Sequence, residues 1–192
     1  FKEWSLVCDA LATGRQTILI RKGGIAEGRG GFSFRHDAFW LYPTHFHTQL
    51  EDVRERVLPA GTGRYREEAP EIGEEIELDL VAKVEWLATV PDWRTAQSIH
   101  DFHVWEQRVV RDRLEYEEDR ALWLALVRVY QTPAPRRITM ARGLLGCRSW
   151  IDLDPGGSRL DDRSYDLRPV IGDVEFAELS GRVREFVGGG IG

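Results

Sequence analysis

Four of the five histidines fall in two close pairs. His45 and His47 are separated by one residue, so an extended segment would put both on one face. His100 and His103 are separated by two, a spacing that shares a face on a helix. Two imidazole pairs brought together could hold a zinc-like ion or supply general acid and base to phosphodiester chemistry, with Asp101 or Glu106 completing the set. No HExxH or Cys/His ligand pattern accompanies them, so no metal site is assigned from spacing. Cys147 beside His47 or His103 would make a Cys–His nucleophile, against the plainer role of a buried thiol in packing. A nuclease motif with Asp or Glu two residues before Lys occurs nowhere in the chain.

A second group of residues suits anions. Arg21 and Lys22 end a strand pattern and lead into the glycine-rich stretch that contains Arg29. Glycines let backbone N–H groups approach a phosphate, and the adjacent cations attract it. The stretch lacks the order of a P-loop and of a GxGxxG turn, so it stays open to a plain hairpin reading with solvated arginines. Arg128 interrupts the apolar run ALWLALVRVY, where a buried charge demands a carboxylate or a ligand. An acid between Glu74 and Asp79 is the expected partner. Arg148 and Trp150 lie in a compact polar–aromatic group with Cys147. The leading functional expectation is binding of RNA or another anionic nucleotide ligand. Arg21, Lys22, Arg29, Arg128 and Arg148 would contact phosphate, and Tyr42, Trp105 or Trp150 would stack on bases. The alternative is a histidine-dependent hydrolase of phosphodiesters or similar substrates, with or without a metal, using His47, His103 and Cys147. Whether the protein is an enzyme is left open, and no cofactor motif is present.

These residues must be positioned by a mixed set of elements. Trp4, Val7, Cys8 and Leu11 recur at helical spacing and predict an amphipathic helix that Gly14 stops. Gln16–Arg21 and Ala38–Tyr42 predict strands, and Thr48 with Glu51 has the spacing of a capping box. From Ile76 to Val90 apolar residues alternate over eight positions, the signature of a strand with one buried face. A strand of that length should be bent, bulged or wrapped. Asp92 should cap a short helix, followed by a charged helix over Val104–Leu114. Ala121–Tyr130 predicts a central strand ended by Pro133 and Pro135. Cys147–Leu153 is a further strand candidate, and Phe176, Leu179, Val183 and Phe186 predict a C-terminal helix. Together they predict an α+β fold: a small, mostly antiparallel sheet, or a PUA-like β-barrel, with flanking helices. The expected organisation is a domain over 1–153, a linker over 154–169, and a helix with a frayed tail over 170–192.

Composition narrows the partners. The chain has 192 residues, a formal net charge of −6 and two cysteines, which leaves no disulfide framework or Cys-rich zinc site. Five basic residues against one acid between Arg15 and Arg35, and four arginines with no acid between Arg136 and Arg148, still permit a local anion site. Seven acids between Glu67 and Asp79 would repel nucleic acid from another face. The chain shows no basic-then-apolar leader and no apolar run of about 18 residues, so the expectation is a cytoplasmic protein with no membrane partner.

Five segments carry a resemblance: RKGGI at Arg21–Ile25, FWLYPTHFH at Phe39–His47, HVW at His103–Trp105, LVRVY at Leu126–Tyr130 and GCRSW at Gly146–Trp150. In combination they resemble the family of domain of unknown function 1802, over most of Lys2–Leu153. The family pattern places a Gln shortly after the His of the LYPT segment. Here Gln49 follows His47 with Thr48 between them. The resemblance implies no activity, but it carries over His47 and His103 more readily than His45 and His100. A helix, a strand with a basic end and a GEEIEL strand opening also look like the small β-barrel class of RNA-binding domains, an analogy of fold alone.

Overall fold

Apolar alternation builds the frame on which everything else hangs. In the structure, a computed structural model, residues 1–22, 34, 36–45, 48–54, 68–116, 121–146, 148–153 and 165–188 are described. Strand β5 (Glu75–Val90) pairs antiparallel with β6 (Leu122–Thr139) along nearly their whole lengths. On either side lie β2 (Ile18–Arg21), against β6, and β3 (Ala38–Trp40), against β5. A two-residue strand, β7 (Arg168–Pro169), adds to β6. A separate parallel pair joins β1 (Lys2–Trp4) to β4 (Tyr42–Thr44). The expected α+β class with a mostly antiparallel sheet holds. Among the described residues the sheet is open and does not close into a barrel.

Two irregularities bend the long ribbon. Leu78 opposes Arg136 and Leu80 opposes Gln131, so Asp79 alone faces the stretch from Thr132 to Pro135. Pro133 and Pro135 therefore do not end the strand, as their type suggests. They sit in the bulge, where their missing N–H costs no ladder bond. The Thr132 hydroxyl accepts the Ala134 N–H (3.2 Å) inside it. The second shift, at Glu85, separates the Val84 and Trp86 pairs. Across the first bulge the side-chain phase inverts. Ile76, Leu78 and Val81 face a small core with Trp40, Tyr42 and Met140, whereas Leu80 and Ala82 face the main core.

Helix α1 (Ser5–Ala12) is buried on all sides from Ser5 to Leu11, so the predicted stripe understates its burial. One first-turn donor is satisfied from outside the helix: the Gln49 side-chain oxygen accepts the Leu6 N–H (3.3 Å), together with the Ser5 hydroxyl (3.1 Å). The Gln49 amide then donates to the Thr44 carbonyl (2.7 Å). Gln49 opens the short α2 (Gln49–Asp52), at which the Thr48–Glu51 capping box does not form. Asp92 caps α3 (Trp93–Ser98) as expected, accepting the Thr95 N–H at 2.8 Å. A 3-10 turn, His100–Phe102, precedes α4 (Gln107–Glu115). The segment 148–153 is not a strand. Helix α5 (Asp173–Val187) lays Phe176 and Val183 onto the main core, so the C-terminal segment packs on the same body as the sheet. No helix among the described residues is long and apolar enough to cross a membrane.

Gly14 stops α1 for two reasons. Its φ of +74° lies in the left-handed region, and a Cβ there would stand 2.9 Å from Ile171 Cγ1. Gly14→Ala should therefore lower stability by at least about 1–2 kcal/mol from the backbone alone, read as a fall in the urea midpoint. An unchanged midpoint would contradict this account of the turn.

Candidate anion site at the β1 edge

The site grows from a buried carboxylate. Glu3 on β1 is 1% exposed, and a carboxylate out of water needs donors. Arg21, at the end of β2, supplies a guanidinium N–H at 2.9 Å to Glu3 Oε2, and the Trp4 N–H reaches Oε1 at 2.8 Å. The same Arg21 nitrogen donates to the Lys2 carbonyl (2.7 Å), and its plane lies 4.9 Å from the Phe1 ring. Lys22, one residue on, donates to the Leu114 carbonyl in the last turn of α4 (3.3 Å).

Trp4 meets Trp105 edge to face at 4.4 Å. Arg113, on α4, lays its guanidinium 4.0 Å from the Trp105 ring and 5.4 Å from Trp4. This is a cation–π stack on the buried Trp105 ring. Loss of water lowers the Arg113 pKa to about 10; the nearby Arg21 charge also lowers it, and Glu3 and Asp52 oppose that. Trp105 is itself pinned by a bridge to Val53, and the Glu106 N–H donates to the Asp52 carbonyl (2.9 Å).

His103 is 1% exposed. Its Nδ1 accepts the Trp105 N–H at 3.2 Å, which fixes the neutral tautomer with the proton on Nε2. Desolvation, then the charges of His100, Arg54 and Arg113, push its pKa down to about 3. Arg54 donates to the His100 and His103 carbonyls (2.8 and 2.5 Å), which locks the turn that holds both rings. Their rings are 5.5 Å apart, edge to face.

Three N–H groups around this tryptophan pair are buried with no hydrogen-bond partner: Arg21 Nε, Arg113 Nη1 and His103 Nε2. An unmet buried donor costs about 1–3 kcal/mol, so three in one neighbourhood call for an acceptor. Each of the three is a donor that a hydrogen-bond acceptor would satisfy.

The expected site residues divide around this cluster. Arg21, Lys22, Trp105 and His103 belong to it. Trp150 borders it through Phe1 (4.9 Å), and also packs edge-on to Phe39 (5.0 Å) and His36 (5.1 Å). Tyr42 is 3% exposed, its hydroxyl on Met140 Sδ (3.2 Å), and Trp105 is 1% exposed. Neither ring offers a free face to a base in this arrangement. Arg148 is exposed. Arg128 lies elsewhere: it pairs with Asp173 at the start of α5 instead of an acid of the β5 region, and stacks over Phe176 (5.2 Å). Its Nε is also buried without a partner, beside a crevice of about one water's size that Gln16, Val129 and Ile171 help to line. Of the acids expected for it, Asp79 takes Gln131 and Glu77 takes Arg137. Arg29, His47 and Cys147 fall outside the described residues, so the proposed Cys–His pair has no described geometry. Among the described residues no group of three or more His, Cys, Asp or Glu side chains could hold a metal ion.

Glu3, Trp4 and Arg113 are the site residues that sequence reasoning missed. Arg113 had a signal: it follows Val109 by four residues and Val110 by three, on the buried stripe of α4. A cation on an apolar stripe marks a special environment.

Fold and site together define an α+β protein with an open antiparallel sheet and a desolvated cationic–aromatic cluster at one edge. Residues 1–182 match the model of the family described as domain of unknown function (DUF1802), and the chain belongs to that family. The match runs past Leu153 and into α5. No curated protein and no solved structure matches the chain.

The folded His103 value of about 3 lies below its ordinary 6.5. The unfolded chain thus binds the extra proton, and stability falls as pH drops from about 6.5 toward 3. Each unit in that window costs up to about 1.4 kcal/mol. Urea midpoints at pH 7 and pH 5 should fall more steeply for the natural chain than for His103→Gln. Equal slopes would show that His103 is not buried as a neutral ring.

Proposed function

We propose that the chain is a binding module for a phosphate-bearing nucleotide ligand, with RNA as the broader form of the same reading. The observation that carries it is the pair of desolvated guanidiniums, Arg21 and Arg113, each with a buried N–H lacking an acceptor. Arginine presents a planar donor fork that matches phosphate oxygens, and partial burial strengthens each such bond. Lys22 and Arg54 add positive charge at the margins of the cluster. Glu3 pairs with Arg21 and the Asp52 carboxylate with Arg108, so Arg113, Lys22 and Arg54 leave a local positive excess although the whole chain is acidic.

A histidine-dependent hydrolase remains the second reading and draws on His103 alone among the described residues. The tautomer argues for a donor role there: Nδ1 is engaged by backbone and Nε2 carries the proton. A general base would need the opposite arrangement at the open nitrogen.

The test is calorimetric or tryptophan-fluorescence titration with adenine nucleotides and an RNA pool at low salt. Binding should weaken as salt rises. Arg113→Ala should weaken it by roughly 10- to 100-fold, the worth of a charge-assisted bond. Arg113→Lys, which keeps the charge and loses the fork, should fall between. Absence of binding, or binding insensitive to salt and to both variants, would end this reading.

A further inference from the structure

Arg128, a charge within an apolar run of sequence, stands at a crevice between α1, β2, β6 and α5. The crevice is of about one water's size and is not sealed from solvent. Its apolar walls are Leu11, Val127, Val129, Ile171 and Phe176. Gln16 lines it too, but its side-chain nitrogen is engaged by the Ile18 carbonyl (2.7 Å) and its oxygen by the Val104 N–H (3.0 Å). Arg128 brings an open donor. Its Nε–H is buried with no hydrogen-bond partner among the described residues, while 19% of the side chain stays exposed.

Nε and Nη2 share one edge of the planar guanidinium, an edge that grips a carboxylate through two parallel bonds. Asp173, at the start of α5, uses that edge incompletely: one of its oxygens meets Nη2, and Nε meets nothing. The Asp173 side chain is 86% exposed, so moving it into water sacrifices little burial. We infer that Arg128 and the crevice form a site for a small monocarboxylate, separate from the cluster at the β1 edge and independent of the reading above. The ligand's two oxygens span Nε and Nη2 in place of Asp173, and its methyl group enters the apolar crevice. Asp173 is then a tethered competitor for the ligand. Lys83, directly opposite Arg128 on β5, adds positive charge, and Glu85 opposes it. Space for one water admits a methyl group and no bulkier chain, so acetate fits and a branched acid does not.

The test is an NMR titration of the full chain at pH 7 and constant ionic strength, following the Arg128 Nε–H signal. The probes are acetate, pivalate and, as the reference anion, chloride. Acetate should shift the signal saturably, with pivalate weaker by roughly tenfold or more. Asp173→Asn, an exposed change that removes the competitor, should tighten acetate by roughly two- to fivefold. Arg128→Lys, which keeps the charge and loses the fork, should weaken acetate by roughly tenfold, read by acetate line broadening. Acetate acting no differently from chloride or from pivalate would overturn the inference, as would an acetate affinity that Asp173→Asn leaves unchanged. AMP affinity should be the same in the natural chain and in Asp173→Asn, so either site can fail without the other.

Discussion

The structure depends on one buried ion pair. The Glu3 carboxylate is removed from water on β1, and Arg21 reaches it with a full charge. Losing the cation alone would leave an uncompensated buried carboxylate, a change worth about 3–5 kcal/mol. The pair binds the end of β2 to β1, and through Thr44, whose hydroxyl donates to the Glu3 carbonyl (3.0 Å), to β4. Arg21 places one nitrogen on this pair, while its Nε is buried with no hydrogen-bond partner. The side chain that meets this architectural need is also one on which the proposed binding rests.

Around this pair, polar side chains hold backbone that no sheet ladder supports. Gln49 closes the start of α1 and ties it to Thr44, and Gln16 accepts the Val104 N–H (3.0 Å) while donating to the Ile18 carbonyl (2.7 Å). Both are 1% exposed. They fix α1, β2 and the His103–Trp105 segment relative to one another. The Gln49 position in the family-like segment thus has a structural explanation that needs no ligand.

What the sequence disclosed follows from which forces are local. The alternation from Ile76 to Val90 and the stripe of Phe176 and Val183 are periodic responses to one buried face, and both elements appear where expected. The Asp92 cap is equally local. Pro133 and Pro135 misled because a bulge depends on a partner strand, which periodicity does not show. Arg21 and His103 were legible as candidates by type, but Arg128 was assigned to acids of the β5 region because only the docking of α5 onto the sheet brings Asp173 to it. Tyr42 and Trp105 looked like stacking groups because residue type reveals aromatic area and says nothing of what covers it. Glu3 and Arg113 gained their meaning only from tertiary burial.

The most direct measurement is a crystal structure of the chain with AMP. The account predicts phosphate oxygens within hydrogen-bonding distance of Arg21 Nε and Arg113 Nη1, with the Arg21–Glu3 pair intact. A phosphate bound at another face, with these two groups still lacking an anionic partner, would contradict it.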